Sequence, residues 1–236
     1  MVDLDLRDRS RAAARAPRRA SRTLTRVGAV LVLAGTLVLG YVAWQLYGTT
    51  WLAEREQQRT VEATERVWSV DHGAPVSRED RALAKQVVAL VRIPAWGEDY
   101  VVPAYRGTDD ETLERGFGIF EGSPEPGASG NFALGGHRVT HGEPLRDMPS
   151  LRAGDEVVVE TADATYRYVL DDDGSSRTVS SEASWVTDSL PIDPATRGPV
   201  VDAAGSPRLL TLVTCAEIFH TEERLVAFGH LVARDT

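Results

Sequence analysis

Arg208-Leu209-Leu210-Thr211-Leu212-Val213-Thr214-Cys215 is rich in apolar and β-branched residues and ends at the chain's one cysteine. Such residues suit a pleated, half-buried surface, so the run reads as a strand. With a side-chain period of two, Leu209, Thr211, Val213 and Cys215 share one face, and Leu210, Leu212 and Thr214 the other. The polar segment Ala216–Glu223 follows, and Arg224–Ala233 then resumes the strand pattern. The two runs form a hairpin, in which the end of one strand neighbours the start of the next. Arg224 is thereby brought beside Cys215. A thiol at a strand end next to a loop is well placed to meet a ligand. A free cysteine also commonly fills core space. Reactivity depends on what lies near it.

The upstream pattern is also β. Gln86–Pro94 reads as a strand. Trp96–Val102 reads as another, split by Gly97-Glu98-Asp99. Asp109–Arg115 is a short helix capped by Thr108 or Asp109. Gly116–Glu121 precedes a Gly-, Pro- and Ser-rich loop, Gly122–Gly130. Asn131–His137 is a strand, and Pro144–Met148 a short helix. Asp155–Thr161 and Ala164–Asp171 make a strand pair, and Asp172–Ser184 is polar with one weak strand. Many short strands with turn signals and few helices imply a closed or sandwiched all-β domain over residues 85–236.

Ahead of that domain, Val27–Ala53 contains no charged residue, and Val27–Trp44 is nearly all apolar. About 20 such residues span a bilayer as a helix. Trp44, Tyr47 and Trp51 follow where an interfacial aromatic belt belongs. The apolar run exceeds that of a cleaved signal peptide, and no small-x-small site ends it. Residues 27–50 therefore read as a signal anchor, and residues 1–26 as a basic cytoplasmic tail. Residues 51–84 read as an extracellular stalk and linker, helical over Trp51–Trp68. Residues 1–26 carry eight arginines against three aspartates, net +5, while the whole chain is −9, leaving −14 for residues 27–236. Positive charge stays inside, which places the N-terminus in the cytoplasm and the β domain outside the cell membrane. A domain this acidic is a poor partner for nucleic acid, whose phosphates need Lys and Arg.

Nucleophilic cysteine chemistry needs a thiolate, a proton donor for the leaving group and a positive group for the oxyanion. Arg224 suits the last role; a surface pairing with Glu222 or Glu223 is its bland alternative. Five histidines compete for the proton. His137 ends a strand after Gly135-Gly136 and ranks first. His220 and His141 lie in loops, His230 alternates with Phe228 and Val232 in the last strand, and His72 is in the linker. A zinc site using His137 and His141 has the wrong residue, Arg138, where a helical zincin carries glutamate. A papain-like peptidase places its cysteine before its histidine, the reverse of the order here.

Thr211-Leu212-Val213-Thr214-Cys215 resembles the T-L-x-T-C motif of sortases. Gly136-His137-Arg138-Val139-Thr140-His141-Gly142 resembles their G-H-R-x-T segment, and Arg224-Leu225-Val226 their R-L-V. The three occur in the family's order, and the N-terminal anchor fits. The resemblance implies an eight-stranded sortase-type β-barrel with short helices after a single transmembrane helix. It implies Cys215 as nucleophile, His137 as general acid and base, and Arg224 as oxyanion and substrate stabiliser. Thr214, His141 and the loops around Leu145 and Trp185 are expected to line the substrate groove. The implied partners are C-terminal sorting-signal peptides of LAxTG or LPxTG type, a peptidoglycan-precursor amine and the lipid bilayer, with no cofactor and no metal. The pattern and the Arg-rich composition are most similar to class E sortases of actinomycetes. The alternatives are a pilus-type sortase and a tethered, non-catalytic β-domain that binds at the cell surface.

Overall fold

The computed structural model describes residues 18–44, 49–69, 76–139, 141–201, 207–215 and 222–235; for residues 18–23, 43, 49 and 215 it describes the backbone alone. Most of the expected basic tail, His72 in the linker, Thr140, and His220 in the loop after Cys215 lie outside the described residues. The chain divides into two compact units, Met1–Trp44 and Gln45–Thr236.

The first unit holds helix α1 (Arg18–Ala43). Within it Leu24–Val42 is 19 residues long with a mean hydropathy of 1.7, long and apolar enough to cross a membrane. Its large side chains, among them Leu31, Leu33, Leu37 and Leu39, are exposed. The one polar residue near its middle, Thr36, donates its hydroxyl back to the Val32 carbonyl at 2.9 Å. A polar group satisfied within its own helix is compatible with lipid.

The second unit opens with α2 (Thr49–Trp68) and α3 (Arg78–Ala84). Ser77 caps α3 by accepting from the Asp80 amide, with Glu79 and Asp80 complementing the first-turn dipole. There follow β1 (Ala89–Arg92), β2 (Val101–Arg106), α4 (Asp110–Arg115), β3 (Phe117–Ile119), β4 (Gly130–Gly135), β5 (Glu156–Glu160) and β6 (Thr165–Leu170). The chain then makes β7 (Thr178–Ser180), the small pair β8 (Ile192–Asp193) and β9 (Gly198–Pro199), and the long hairpin β10 (Arg208–Cys215) and β11 (Glu223–Asp235). The strand order β10-β4-β3-β2-β1-β5-β6-β11 closes on itself, because β11 also pairs with β10. This is the expected closed eight-stranded barrel, with β7 added at the edge of β11. Pairing is antiparallel except at β2–β3 and β4–β10.

The barrel interior is filled by Val91, Phe117, Phe132, Leu134, Val157, Tyr168, Leu210 and Leu212, with Leu145, Met148 and Leu151 plugging one end. Tyr168 keeps its hydroxyl satisfied by accepting from the Gly127 amide at 2.7 Å. Burial pushes its pKa up to about 12. A second apolar layer, Leu209, Val213, Val226 and Phe228 with Val186 and Val201, covers the outer face of the terminal hairpin.

Three elements differ from the sequence-based expectation. Trp96–Val102 is not one strand. Pro94–Trp96 forms a 3-10 turn ended by Gly97 at φ +125°, and pairing starts only at Val101. Pro144–Met148 is a run of turns ahead of the 3-10 turn Met148–Ser150. The bonds there span three residues, the Arg146 amide to the Glu143 carbonyl at 2.9 Å and the Met148 amide to the Leu145 carbonyl at 3.2 Å, so the segment turns without forming an α-helix. The helix expected over Trp51–Trp68 is present, but it does not stand clear of the barrel as a stalk. Val61 packs with Val87, Leu90 and Tyr105, and Thr60, Ala63 and Thr64 are buried beside it. The Thr64 hydroxyl donates to the Thr60 carbonyl at 2.7 Å, so the packed face carries no unpaired hydroxyl there. Arg92 joins the two layers through Glu65 at 2.6 Å and Glu160 at 3.0 Å.

Candidate active site

β10 carries Cys215 at its last position. It lies antiparallel to β11 in the register Val213↔Val226, Thr214↔Leu225 and Cys215↔Arg224. Residues directly opposite in such a ladder have Cα atoms about 4.5–5.5 Å apart. The eight residues between Cys215 and Arg224 in sequence therefore do not separate them in space, in agreement with the expected hairpin. Arg224 is half-buried, and its Nη1 donates to the Glu223 carbonyl at 2.9 Å.

On its other edge β10 runs parallel to β4, with Val213 opposite Gly135. The ladder continues one step further, because the Gly136 amide donates to the Val213 carbonyl at 3.1 Å. Thr214 adds a side-chain link, its hydroxyl donating to the Gly136 carbonyl at 2.8 Å. His137 thus leaves β4 at the level where β10 reaches Cys215. The three expected residues converge on one end of the barrel wall, on three neighbouring strands.

Thr214 was expected to touch substrate. It is 2 % exposed, on the strand face that Leu210 and Leu212 turn into the barrel. A hydroxyl closed off from solvent and committed to a carbonyl is a brace for the histidine segment. Leu145, also expected at the groove, is fully buried in the core. It fills the space above Gly136, where a Cβ would stand 3.3 Å from its side chain. Trp185 packs back on Phe228, ring centroids 6.2 Å apart, instead of facing outward.

His141 does lie at the site. Its ring centroid is 5.6 Å from that of His137, and its Nε2 is 3.4 Å from the Glu114 carboxylate at the end of α4. Its Nδ1 has no hydrogen-bond partner among the described residues. His230, by contrast, pairs with Asp171 at 2.9 Å, on a rim away from the other two. The loop after His137 is unusual in its backbone. His141, Gly142 and Glu143 have φ values of +55°, +79° and +46°. A non-glycine residue in this region costs roughly 1 kcal/mol, so the fold must hold it there. Tyr100 is one restraint, donating its hydroxyl to the Pro144 carbonyl at 2.5 Å. Burial, and then the Asp147 charge, push that phenol's pKa far up, so it stays a donor across ordinary pH. Among the described residues no three His, Cys, Asp or Glu side chains converge as metal ligands.

A cavity of about 300 Å³ opens beside this constellation. Phe120, Val179, Ala183, Val186 and Val213 give it apolar walls, with Glu182 and Arg224 as its charged groups. Its position follows from the hairpin, since Val213 and Arg224 flank Cys215 in the ladder. One wall is the 3-10 turn Ser184–Thr187, pinned by a network absent from the sequence reading. Asn131, fully buried, donates through Nδ2 to the carbonyls of Val186 at 3.1 Å and Asp188 at 3.0 Å. The Thr211 hydroxyl donates to Asn131 Oδ1 at 2.7 Å. A polar residue near the start of an otherwise apolar strand was the available signal; in the ladder it stands opposite Leu209, two residues before the Thr211 whose hydroxyl it accepts.

Comparison with known proteins agrees with this geometry. A family profile for the sortase domain matches residues 91–232. Sortase SrtE1 of Streptomyces coelicolor is 32% identical over an alignment of 233 residues that covers 95% of this chain. The chain spans 61% of that relative's length. Sortase SrtE2 of the same organism is 24% identical, covering 90% of this chain and 83% of its own. Among solved structures, sortase E from Streptomyces avermitilis superposes with a TM-score of 0.55 at 31% identity, over 64% of this chain and 90% of that one. Sortase E1 from Streptomyces coelicolor, solved with a tripeptide in the active site, gives 0.52 at 33% identity, over 63% and 90%. With its barrel, its motif order and its matched length, the chain belongs to the sortase family.

Proposed function

We propose that the chain is a membrane-anchored cysteine transpeptidase. It cleaves a C-terminal LAxTG- or LPxTG-like sorting signal between Thr and Gly and joins the new carboxyl end to a cell-wall amine. The observation that carries this reading is the register that brings Cys215, Arg224 and the His137 segment to one barrel edge beside an apolar cavity. The Cys215 thiolate attacks the Thr carbonyl carbon, and the C–N bond to glycine breaks. His137 gives a proton to the departing glycine amine, leaving a thioester on Cys215. Arg224 hydrogen-bonds the oxyanion while the carbonyl is tetrahedral. The incoming amine, relieved of a proton by His137, then displaces the sulfur. The cavity's apolar walls suit the Leu side chain at the start of the signal.

The acceptor we infer is an amine of a peptidoglycan precursor. The net charge of +5 before the apolar helix and the acidic balance after it support a cytoplasmic N-terminus and an extracellular barrel. The test is a full-chain comparison of wild type and Cys215→Ala. The variant is expected to melt at the wild-type temperature and to cleave no LAxTG or LPxTG peptide. Mass spectrometry of the wild type should trap the peptide on Cys215. Undiminished cleavage by Cys215→Ala overturns the proposal. Diaminopimelate-like and glycine amines, offered to the trapped thioester, identify the acceptor.

A further inference from the structure

α2 does more than cover the barrel. Gln57 is 6 % exposed on its packed face, where its neighbours Val61 and Ala63 are apolar and where leucine would bury more apolar surface without an amide to satisfy. The amide points at the histidine loop, Nε2 donating to the His141 carbonyl at 3.4 Å. The fit is close. A Cβ on Gly142 would stand 2.6 Å from Gln57 Nε2 and 3.0 Å from its Oε1. Glycine suits the loop both by its φ of +79° and by the room it leaves for the glutamine above it. Two turns earlier on the same helix, the Thr50 hydroxyl donates to Glu143 Oε1 at 3.3 Å, and Arg146 holds Oε2 at 2.7 Å. The three residues with left-handed backbone, His141-Gly142-Glu143, are therefore gripped at two points by one helix.

We infer that Gln57 is a positioning residue for the reaction, and that α2 with Thr50 is a clamp on the loop bearing the proton-transfer histidine. The chain of contact runs from the Gln57 amide to the His141 backbone, and from the His141 ring to the His137 ring 5.6 Å away. The clamp fixes His141 in a backbone region it would leave if released, and so fixes the imidazole facing it. This rests on the reading of His137 as the proton donor, but the clamp itself is a structural claim with its own readout.

The experiment uses the full chain in detergent, with Gln57→Leu, Gln57→Glu and His137→Ala beside wild type. Gln57→Leu keeps the helix packed and removes the hydrogen bond. Its expected signature is an unchanged or raised melting temperature, a kcat roughly tenfold lower with KM within a factor of about two, and faster amide hydrogen exchange confined to residues 138–146. Gln57→Glu retains the acceptor but loses the donor to the His141 carbonyl, and is expected to match Gln57→Leu in exchange. Unchanged exchange in that loop overturns the clamp, whatever the activity. A fall in kcat that tracks a fall in melting temperature overturns the positioning role and leaves a packing one. Full activity in His137→Ala overturns the functional reading instead, while the exchange result still decides the clamp.

Discussion

At the scale of single residues, Thr214 shows how one hydroxyl ties chemistry to scaffold. It sits between Val213, which lines the cavity, and Cys215, yet its own side chain faces the interior and braces Gly136. Thr214→Val should preserve volume closely while leaving the Gly136 carbonyl buried without its donor. The expected cost is about 1–2 kcal/mol in urea denaturation. A kcat reduced roughly tenfold with little change in KM should accompany it, since a misplaced proton donor slows the step without weakening substrate binding. A variant with reduced stability and wild-type kcat would show that Gly136 alone sets the His137 position.

At the scale of elements, the 3-10 turn Ser184–Thr187 is the part of the cavity most dependent on polar contacts. Three hydrogen bonds converge on Asn131 from outside its own strand. Asn131→Ala removes them all, leaving the Thr211 hydroxyl only its 3.3 Å bond to the Val186 carbonyl and taking the Asn131 donor from the Asp188 carbonyl. A loss of about 3 kcal/mol is expected by denaturation. Because the turn is a wall of the cavity, KM for a sorting peptide should rise severalfold while kcat at saturation falls less. Equal losses in both would place the turn's role in the transition state instead. The β-elements themselves were largely legible in sequence, because alternation and turn residues act locally. Val101–Arg106 was displaced from its expected start because Pro94 and Gly97 act together, one opening a tight turn and the other ending it at φ +125°.

At the scale of the whole molecule, the two units are expected to separate cleanly. A chain beginning at residue 45 should be recovered without detergent and melt at the wild-type temperature. A chain beginning at residue 69 should not, because removing α2 uncovers Val87, Leu90 and Tyr105. Re-exposing these side chains costs about 4 kcal/mol or more, read by thermal unfolding of the two truncations side by side. Equal melting temperatures would return α2 to the status of a free stalk. The signal for its packing was present in Ala89-Leu90-Val91, an unbroken apolar run where a strand with one wet face would alternate. The helix carries no matching signal, being polar on most of its surface.

The sequence by itself determined the strands, the apolar span, the ordering of cysteine, histidine and arginine, and through them the family. These are properties of local period, of charge and of motif spacing, all of which are read along the chain. Only the tertiary structure decided that Thr214 turns inward, that Leu145 is core, that Asn131 ties down the cavity wall and that Gln57 grips the histidine loop. Each of those depends on the parallel β4–β10 pairing or on the docking of α2, contacts between residues about 80 positions apart, as in Thr214 with Gly136 at a separation of 78 and Gln57 with His141 at 84. A side chain's partner at that distance is set by how the barrel closes, and closure leaves no periodic trace in the residues it brings together.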